Sequence, residues 1–251
     1  MEELVKALQE TVGSENISTA RPVREAYVTR GIMEIKSLAP AVVVRPKSVE
    51  EIVAILRLAN ERKVPVVPHS GGLSGGEATP MLEGAVLLDL RRMNQIIEVD
   101  VDARYMLVEP GVTSAQAWKF MQEEYPDYRP GIPDGAPPSA TLVGDHLDRG
   151  FHFLSTKYGS AADAVLGLEV VLPNGEVVRT GSCASPKAKW FYRWMFGPDI
   201  TGLFLGSQGT LGVVTKMAIK IFPMPKVRDV VAFGASDWKY LIDPCLDVLK
   251  T

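Results

Sequence analysis

Residues 40–76 read PAVVVRPKSVEEIVAILRLANERKVPVVPHSGGLSGG, and three signals follow one another along them. The run AVVV at 41–44 has the length and apolar character of a buried strand. Ser48 followed by Glu51 makes a capping box, and Val49, Ile52, Val53 and Leu56 fall on one face of the helix it opens. VPVVP at 64–68 reads as a second strand and leads into HSGGLSGG at 69–76. Consecutive glycines let backbone N–H groups converge on one point, an anion nest that holds a phosphate without a cationic side chain. The same composition also serves as a tight connection between buried strands. The apolar run AVLLDL at 85–90 then completes a β-α-β-loop-β unit. Two other phosphate motifs fail here. GxGxxG is absent, and although Gly71 and Gly76 have the Walker spacing, Glu77 and Ala78 stand where Lys and Ser or Thr are required.

Working outward, IIEVD at 96–100 and YMLVEPG at 105–111 read as a hairpin, broken by Pro110-Gly111. Residues 113–124 read as a helix, and 126–138 hold five prolines and cannot be regular. Residues 166–172 and 176–179 form a hairpin around Pro173-Asn174-Gly175, and a last strand at 211–222 is stopped by Pro223 and Pro225. Before residue 40, a short helix with Leu4, Val5 and Leu8 on one face precedes a polar stretch to about Ser37. A subdomain boundary is expected near Glu109 and a domain boundary near Lys226.

The 251 residues carry 27 basic and 30 acidic side chains, and 46% are apolar, so the chain is long enough to bury a full core and its charge is close to balanced. Scattered Lys and Arg leave no footprint for a nucleic-acid backbone or an anionic membrane. The longest uncharged run, 200–215, is 16 residues with four glycines, short of the ~20 apolar residues of a membrane span. The opening MEELVKALQE carries acids where a secretory leader needs a basic start, and Cys183 and Cys245 fit neither a disulfide framework nor a metal pair. A cytoplasmic protein with free thiols is expected. His69, His146 and His152 fit no metal-ligand spacing, even with Asp145 and Asp148, so no metal is expected.

The segments 40–76, 86–100 and 105–113, then GIPDGAPPSATLVGDHLDRG at 131–150, KYGSAADAVLGLEVVLPNGEVVRTG at 157–181 and FGPDITGLFLGSQGTLGVVTKMAIKIFPMP at 196–225, resemble in order and spacing the flavin-binding domain of the vanillyl-alcohol oxidase and p-cresol methylhydroxylase family. GLFLGSQGTLGVVT is also similar to the glycolate and D-lactate dehydrogenases of that superfamily. The resemblance implies an α+β fold, the PCMH-type FAD-binding domain, with FAD between two α+β subdomains. On it, 1–39 is an N-terminal arm, 40–108 and 109–225 are the two subdomains, and 226–251 is the remnant or start of a cap domain. It places the diphosphate on Pro68, His69, Ser70, Gly71, Gly72, Ser74 and Gly75. It places the middle of FAD on Pro133, Ala140, Thr141 and Gly144, and the adenine end on Gly212, Val213 and Val214. Tyr158, Gly159, Gly167 and Glu169 line the same path.

Pro133-Asp134 matches the pair that sets a carboxylate beside the flavin N5 edge in phenol-oxidising members, where it tunes the flavin or accepts a substrate proton. An aspartate in a Pro- and Gly-rich loop also serves as a plain turn residue. Relatives that attach FAD covalently through the glycine loop carry histidine where this chain has Leu73, which implies noncovalent FAD. The loop is shorter and lacks the tyrosine that holds a phenolate. The resemblance therefore implies an FAD-dependent oxidoreductase, or a subunit of one, accepting hydride from a C–H next to oxygen in a hydroxy acid or alcohol. The alternative is a flavin-holding electron-transfer or assembly module without its own substrate site. The apolar stripe Leu241, Ile242, Cys245, Leu246 and Leu249 suits either a C-terminal helix docked on its own domain or a partner chain, another copy or a different subunit. The cap that the resemblance leaves incomplete favours the partner.

Overall fold

The first sheet grows from apolar runs of three or four residues, and its two inner strands are buried on both faces, as parallel strands require. In the computed structural model, which describes residues 1–28, 37–73, 80–131, 137–151, 155–194, 197–227, 229, 232 and 234–249 (the side chains of 241, 248 and 249 apart), the chain opens with helix α1 (Glu2–Val12), strand β1 (Ile17–Ser18) and the short helix α2 (Arg21–Glu25). Then come β2 (Val42–Val44), α3 (Val49–Glu61), β3 (Val66–His69) and β4 (Val86–Asp89). The strand order is β1-β2-β4-β3, with β2, β4 and β3 parallel and β1 antiparallel to β2. The α3 cap forms as expected on one side, Ser48 Oγ accepting from Glu51 N at 3.3 Å. Glu51 Oε2 reaches one residue further back than a capping box has it, to Lys47 N at 2.7 Å.

Leu4, Leu8 and Val12 of α1 and Ile52, Ile55 and Leu56 of α3 pack on one face of this sheet, against Val42, Val44, Val86 and Leu88. The other face, at Val43 and Leu87, is covered by Tyr27 and Val23. The expected N-terminal arm is thus part of the first subdomain, since α1 supplies its core and β1 its edge strand.

The second sheet follows from mostly apolar strands joined in part by tight hairpins. It holds β5 (Ile96–Asp100) and β6 (Tyr105–Val108), then, after α4 (Ser114–Glu124), β7 (Tyr128–Pro130), α5 (Leu142–Leu147) and α6 (Ser155–Tyr158), the hairpin β8 (Val165–Val171) and β9 (Val177–Arg179). After the short α7 (Ile200–Phe204), β10 (Val213–Pro223) runs through its middle. The order is β5-β6-β10-β8-β9, all antiparallel, with β7 on the end of β10. One face, at Met106, Val108, Leu168, Val170, Met217 and Ile219, packs on Ala117 and Met121 of α4 and Leu142 and Val143 of α5. Both expected hairpins form, at β5–β6 and at β8–β9. The first lies in the second sheet, because β6 pairs with β10, so the chain changes sheet between Asp89 and Ile96 and not near Glu109.

Val171 of β8 and Val213 of β10, paired with each other in the second sheet, pack in the first subdomain's core. Beyond Pro223, residues 228, 230, 231 and 233 of the strand-like run 227–235 lie outside the described residues, and the described ones are not in a strand. Helix α8 (Lys239–Leu249), with Pro244 inside it, follows.

Candidate functional site

The parallel strands β2, β4 and β3 end together at Arg45, Asp89 and His69. Asp89 is buried and accepts from Tyr27 Oη at 2.7 Å and from Arg91 Nη2 at 2.6 Å and Nε at 2.9 Å. Burial opposes its ionisation, but the bonds from Arg91 and Tyr27 outweigh that and hold its carboxyl below the usual range. The His69 ring lies edge-on to Tyr27, 5.2 Å between centroids. The glycine loop therefore leaves β3 from a fixed anchor.

Past His69, the loop runs where only backbone fits. Gly72 has φ +65°, and a Cβ there would lie 2.5 Å from His69 Cε1. A Cβ on Gly71 would press Thr141 at 3.2 Å, and one on Gly144 would meet Ser70 Oγ and Thr141 Oγ1 at 3.0 Å. Thr141 Oγ1 donates to Ser70 Oγ at 2.9 Å, tying the loop to the start of α5. From the other side, the turn at 206–212 comes so close that a Cβ on Gly209, at φ +73°, would lie 2.5 Å from Pro68 Cγ. That turn is held to α5 and the residues after it by Gly206 N to Leu147 O at 2.7 Å, Arg149 Nη2 to Leu205 O at 2.7 Å and Gln208 Nε2 to Asp148 Oδ1 at 3.0 Å.

Between these three pieces lies an open cleft at the junction of the subdomains, about 720 Å³ with the solvent space at its mouth counted in. It brings together Pro68, His69, Ser70, Gly72, Gly144, Gly212 and Val214 from the sequence reading. Gly71, Ala140 and Thr141 line a smaller cavity of about 160 Å³ next to the same loop, and Val213 lines a third on the α3 side. Ser74, Gly75, Pro133 and Asp134 lie outside the described residues, as does His152.

Four expected residues stand elsewhere. The Tyr158 ring packs on Phe222 at 4.3 Å, and Gly159 lies over the Asp163 carboxylate. Gly167 lies within β8, where a Cβ would be 2.6 Å from Thr180 O. Glu169 is buried among Lys216 Nζ at 2.9 Å, Arg179 Nη2 at 2.8 Å and Thr215 Oγ1 at 3.2 Å. In the other direction, the cavity is also lined by Leu147, Asp148, Phe204, Ser207, Gln208 and Gly209. The signal for the last four lay in GLFLGSQGTLGVVT, where two glycines flanking a polar pair mark a close-approach turn.

One carboxyl in the site is perturbed upward. Asp145 of α5 is buried, and burial first, then the Asp148 charge, pushes it up to about 6. Among the described residues no group of three or more His, Cys, Asp and Glu side chains is placed to hold a metal.

A family model described as an FAD binding domain matches residues 40–181. The 1'-carboxy-chondrochloren decarboxylase of Chondromyces crocatus is 32% identical, over 100% of this chain and 46% of its own length. The glycolate oxidase subunit GlcD of Bacillus subtilis (strain 168) is 32% identical over 86% of this chain and 44% of its own. Among solved structures, p-cresol methylhydroxylase with substrate bound superposes with a TM-score of 0.80 at 32% identity, covering 90% of this chain and 44% of that one. The chain spans under half the length of these relatives.

Proposed function

The chain belongs to the FAD binding domain family, and from that premise we propose that it is the flavin-holding part of an oxidoreductase that takes hydride from a C–H bond next to oxygen in a hydroxy acid or alcohol. The observation that carries this reading is the junction: a glycine loop at the end of parallel strand β3, faced by α5 and by the 206–212 turn, around about 720 Å³. The residues fit such a group. Walls of bare backbone at Gly71, Gly72, Gly144 and Gly209 let N–H groups meet phosphate oxygens, and Leu147, Phe204 and Val214 offer apolar surface to flat rings.

In this reading the 68–75 loop holds the diphosphate, Pro133, Ala140, Thr141 and Gly144 the middle, and Gly212, Val213 and Val214 the adenine end. Bound FAD supplies the hydride acceptor, and the protein positions it and sets the charge around it. Asp134 is assigned the carboxylate beside the reacting edge, where it polarises that edge or takes a proton from substrate. Leu73 offers no nucleophile, so FAD is held noncovalently. A relative named for oxidation of glycolate, a hydroxy acid, supports the substrate class. A partner chain covers the cleft. That relative is named as a subunit, and Trp238, Tyr240, Ile242 and Leu246 are exposed here. Two free thiols, Cys183 and Cys245, suit the cytoplasm.

Purified protein should be yellow, acid precipitation should leave a white pellet and a yellow supernatant, and a hydroxy acid or alcohol should bleach the flavin anaerobically. Protein that takes up no FAD removes the reading, and a yellow pellet removes noncovalent attachment. Flavin that no such substrate bleaches, with the partner present, leaves a module that holds flavin without a substrate site of its own.

A further inference from the structure

Asp145 sits in the first turn of α5 with 5% of its surface exposed, and its Oδ2 has no hydrogen-bond partner among the described residues. It lines the narrow recess that Ser70, Gly71, Gly72, Leu73 and Thr141 also bound. Two neighbouring donors are turned elsewhere: Thr141 Oγ1 donates to Ser70 Oγ at 2.9 Å, and the Asp145 N–H donates to Thr141 O at 3.1 Å. A buried carboxylate oxygen with no donor bonded to it is costly, whereas the neutral acid carries a hydrogen of its own to give. The acid thus places a donor beside the loop whose glycines leave room for an anion.

We propose that Asp145 binds the cofactor as a neutral acid, donating from Oδ2 to an acceptor oxygen of the diphosphate over the 70–73 loop, so that FAD is held tightly when Asp145 is protonated and loosened when it ionises. The proposal rests on the reading of this loop as the diphosphate site. The surrounding charges agree with it. On the same segment Asp148 pushes the Asp145 proton affinity up, to about 6 together with burial. His146 is on α5 too, with Nδ1 at 2.7 Å from Leu142 O. Arg149, next along, donates to Leu205 O, and on the glycine loop the His69 ring faces Tyr27. No cation lowers the Asp145 value. Ionised Asp145 would set a negative charge against a phosphate, so affinity should fall by up to about tenfold per pH unit above that value.

The test is FAD titration of the full apo-chain by fluorescence quenching at about pH 5 and about pH 8, in the range that a pKa near 6 divides. Wild type should bind at least ~10-fold more weakly at the higher pH, and Asp145→Asn, whose amide donates at both, should change by less than ~2-fold. Asp148→Asn keeps an acceptor for Gln208 but removes the neighbouring charge, and should move the wild-type midpoint to lower pH. A flat wild-type profile overturns the proposal, as does a pH dependence that persists in Asp145→Asn, which would assign it to His69. An unmoved midpoint in Asp148→Asn overturns it whether or not Asp145→Asn folds. Absence of FAD binding at every pH in wild type overturns the flavin reading as well, a result distinct from all of these.

Discussion

At Gly72, conformation and space make the same demand. A φ of +65° costs any L side chain about 1–2 kcal/mol, and the position of a Cβ lies 2.5 and 2.6 Å from His69 Cε1 and Nε2. His69 has little freedom to give way, with its ring against Tyr27 and Tyr27 bound to the buried Asp89. Gly72→Asp adds both the clash and a negative charge where a diphosphate must approach. FAD affinity, read by fluorescence titration, should fall by at least ~100-fold, about 2.7 kcal/mol, while far-ultraviolet circular dichroism keeps the native signal. Gly72→Ala, with the clash and no charge, should fall between. Unchanged affinity in Gly72→Asp would move the diphosphate off this loop. That a side chain is excluded here was legible in the glycine pair itself; that the excluding atom belongs to His69 was not, because the contact needs the loop folded back on its own first residue.

Among the elements, β8 and β10 show where strand pattern and site assignment part. Both are predominantly apolar, and both were readable as strands from that and from the turn residues bounding them. Glu169 interrupts β8, and the family resemblance placed it along the cofactor path. Pairing with β10 and β9 instead brings Lys216 and Arg179 to it. Burial opposes Glu169 ionisation, the two cations outweigh that, and its carboxyl is held below the usual range. With the folded value depressed, this ion cluster stabilises the fold at neutral pH and the contribution is lost as pH falls through the lowered value. Glu169→Ala should lower stability by about 2–3 kcal/mol in urea unfolding, because a half-buried lysine loses its partner. FAD affinity of the folded variant should stay within ~2-fold, about 0.4 kcal/mol. A selective loss of FAD without loss of stability would return Glu169 to the cofactor path.

On the scale of the whole molecule, the junction is held by few but tight contacts: Val171 and Val213 in the first core, and Gly209 against Pro68. The exposed Trp238, Tyr240, Ile242 and Leu246 around α8 lie apart from both cores, an apolar surface suited to a partner. Light scattering should therefore find a mass above the 27.4 kDa of one chain, or a monomer that turns over substrate only when a second subunit is added. A monomer with rapid turnover by itself would show that the two subdomains suffice. The strands and helices expected between 41 and 124, the two hairpins, the capped α3 and the glycine loop were legible in the sequence alone, because each rests on spacing within about a dozen residues. Strand β7 was not: it forms at Tyr128–Pro130, inside the proline-rich stretch expected to be irregular, because the end of β10 pairs with it. The sheet that β5 and β6 join was decided only in three dimensions, since a hairpin's own pattern is the same whichever neighbour it pairs with, and β10 arrives more than a hundred residues later. The inclusion of Ser207, Gln208 and Gly209 in the cavity wall, the exclusion of Gly167 and Glu169 from it, and the unpaired carboxyl of Asp145 are likewise tertiary facts. Each depends on which distant backbone closes over a side chain, and burial of that kind leaves no mark on the local pattern.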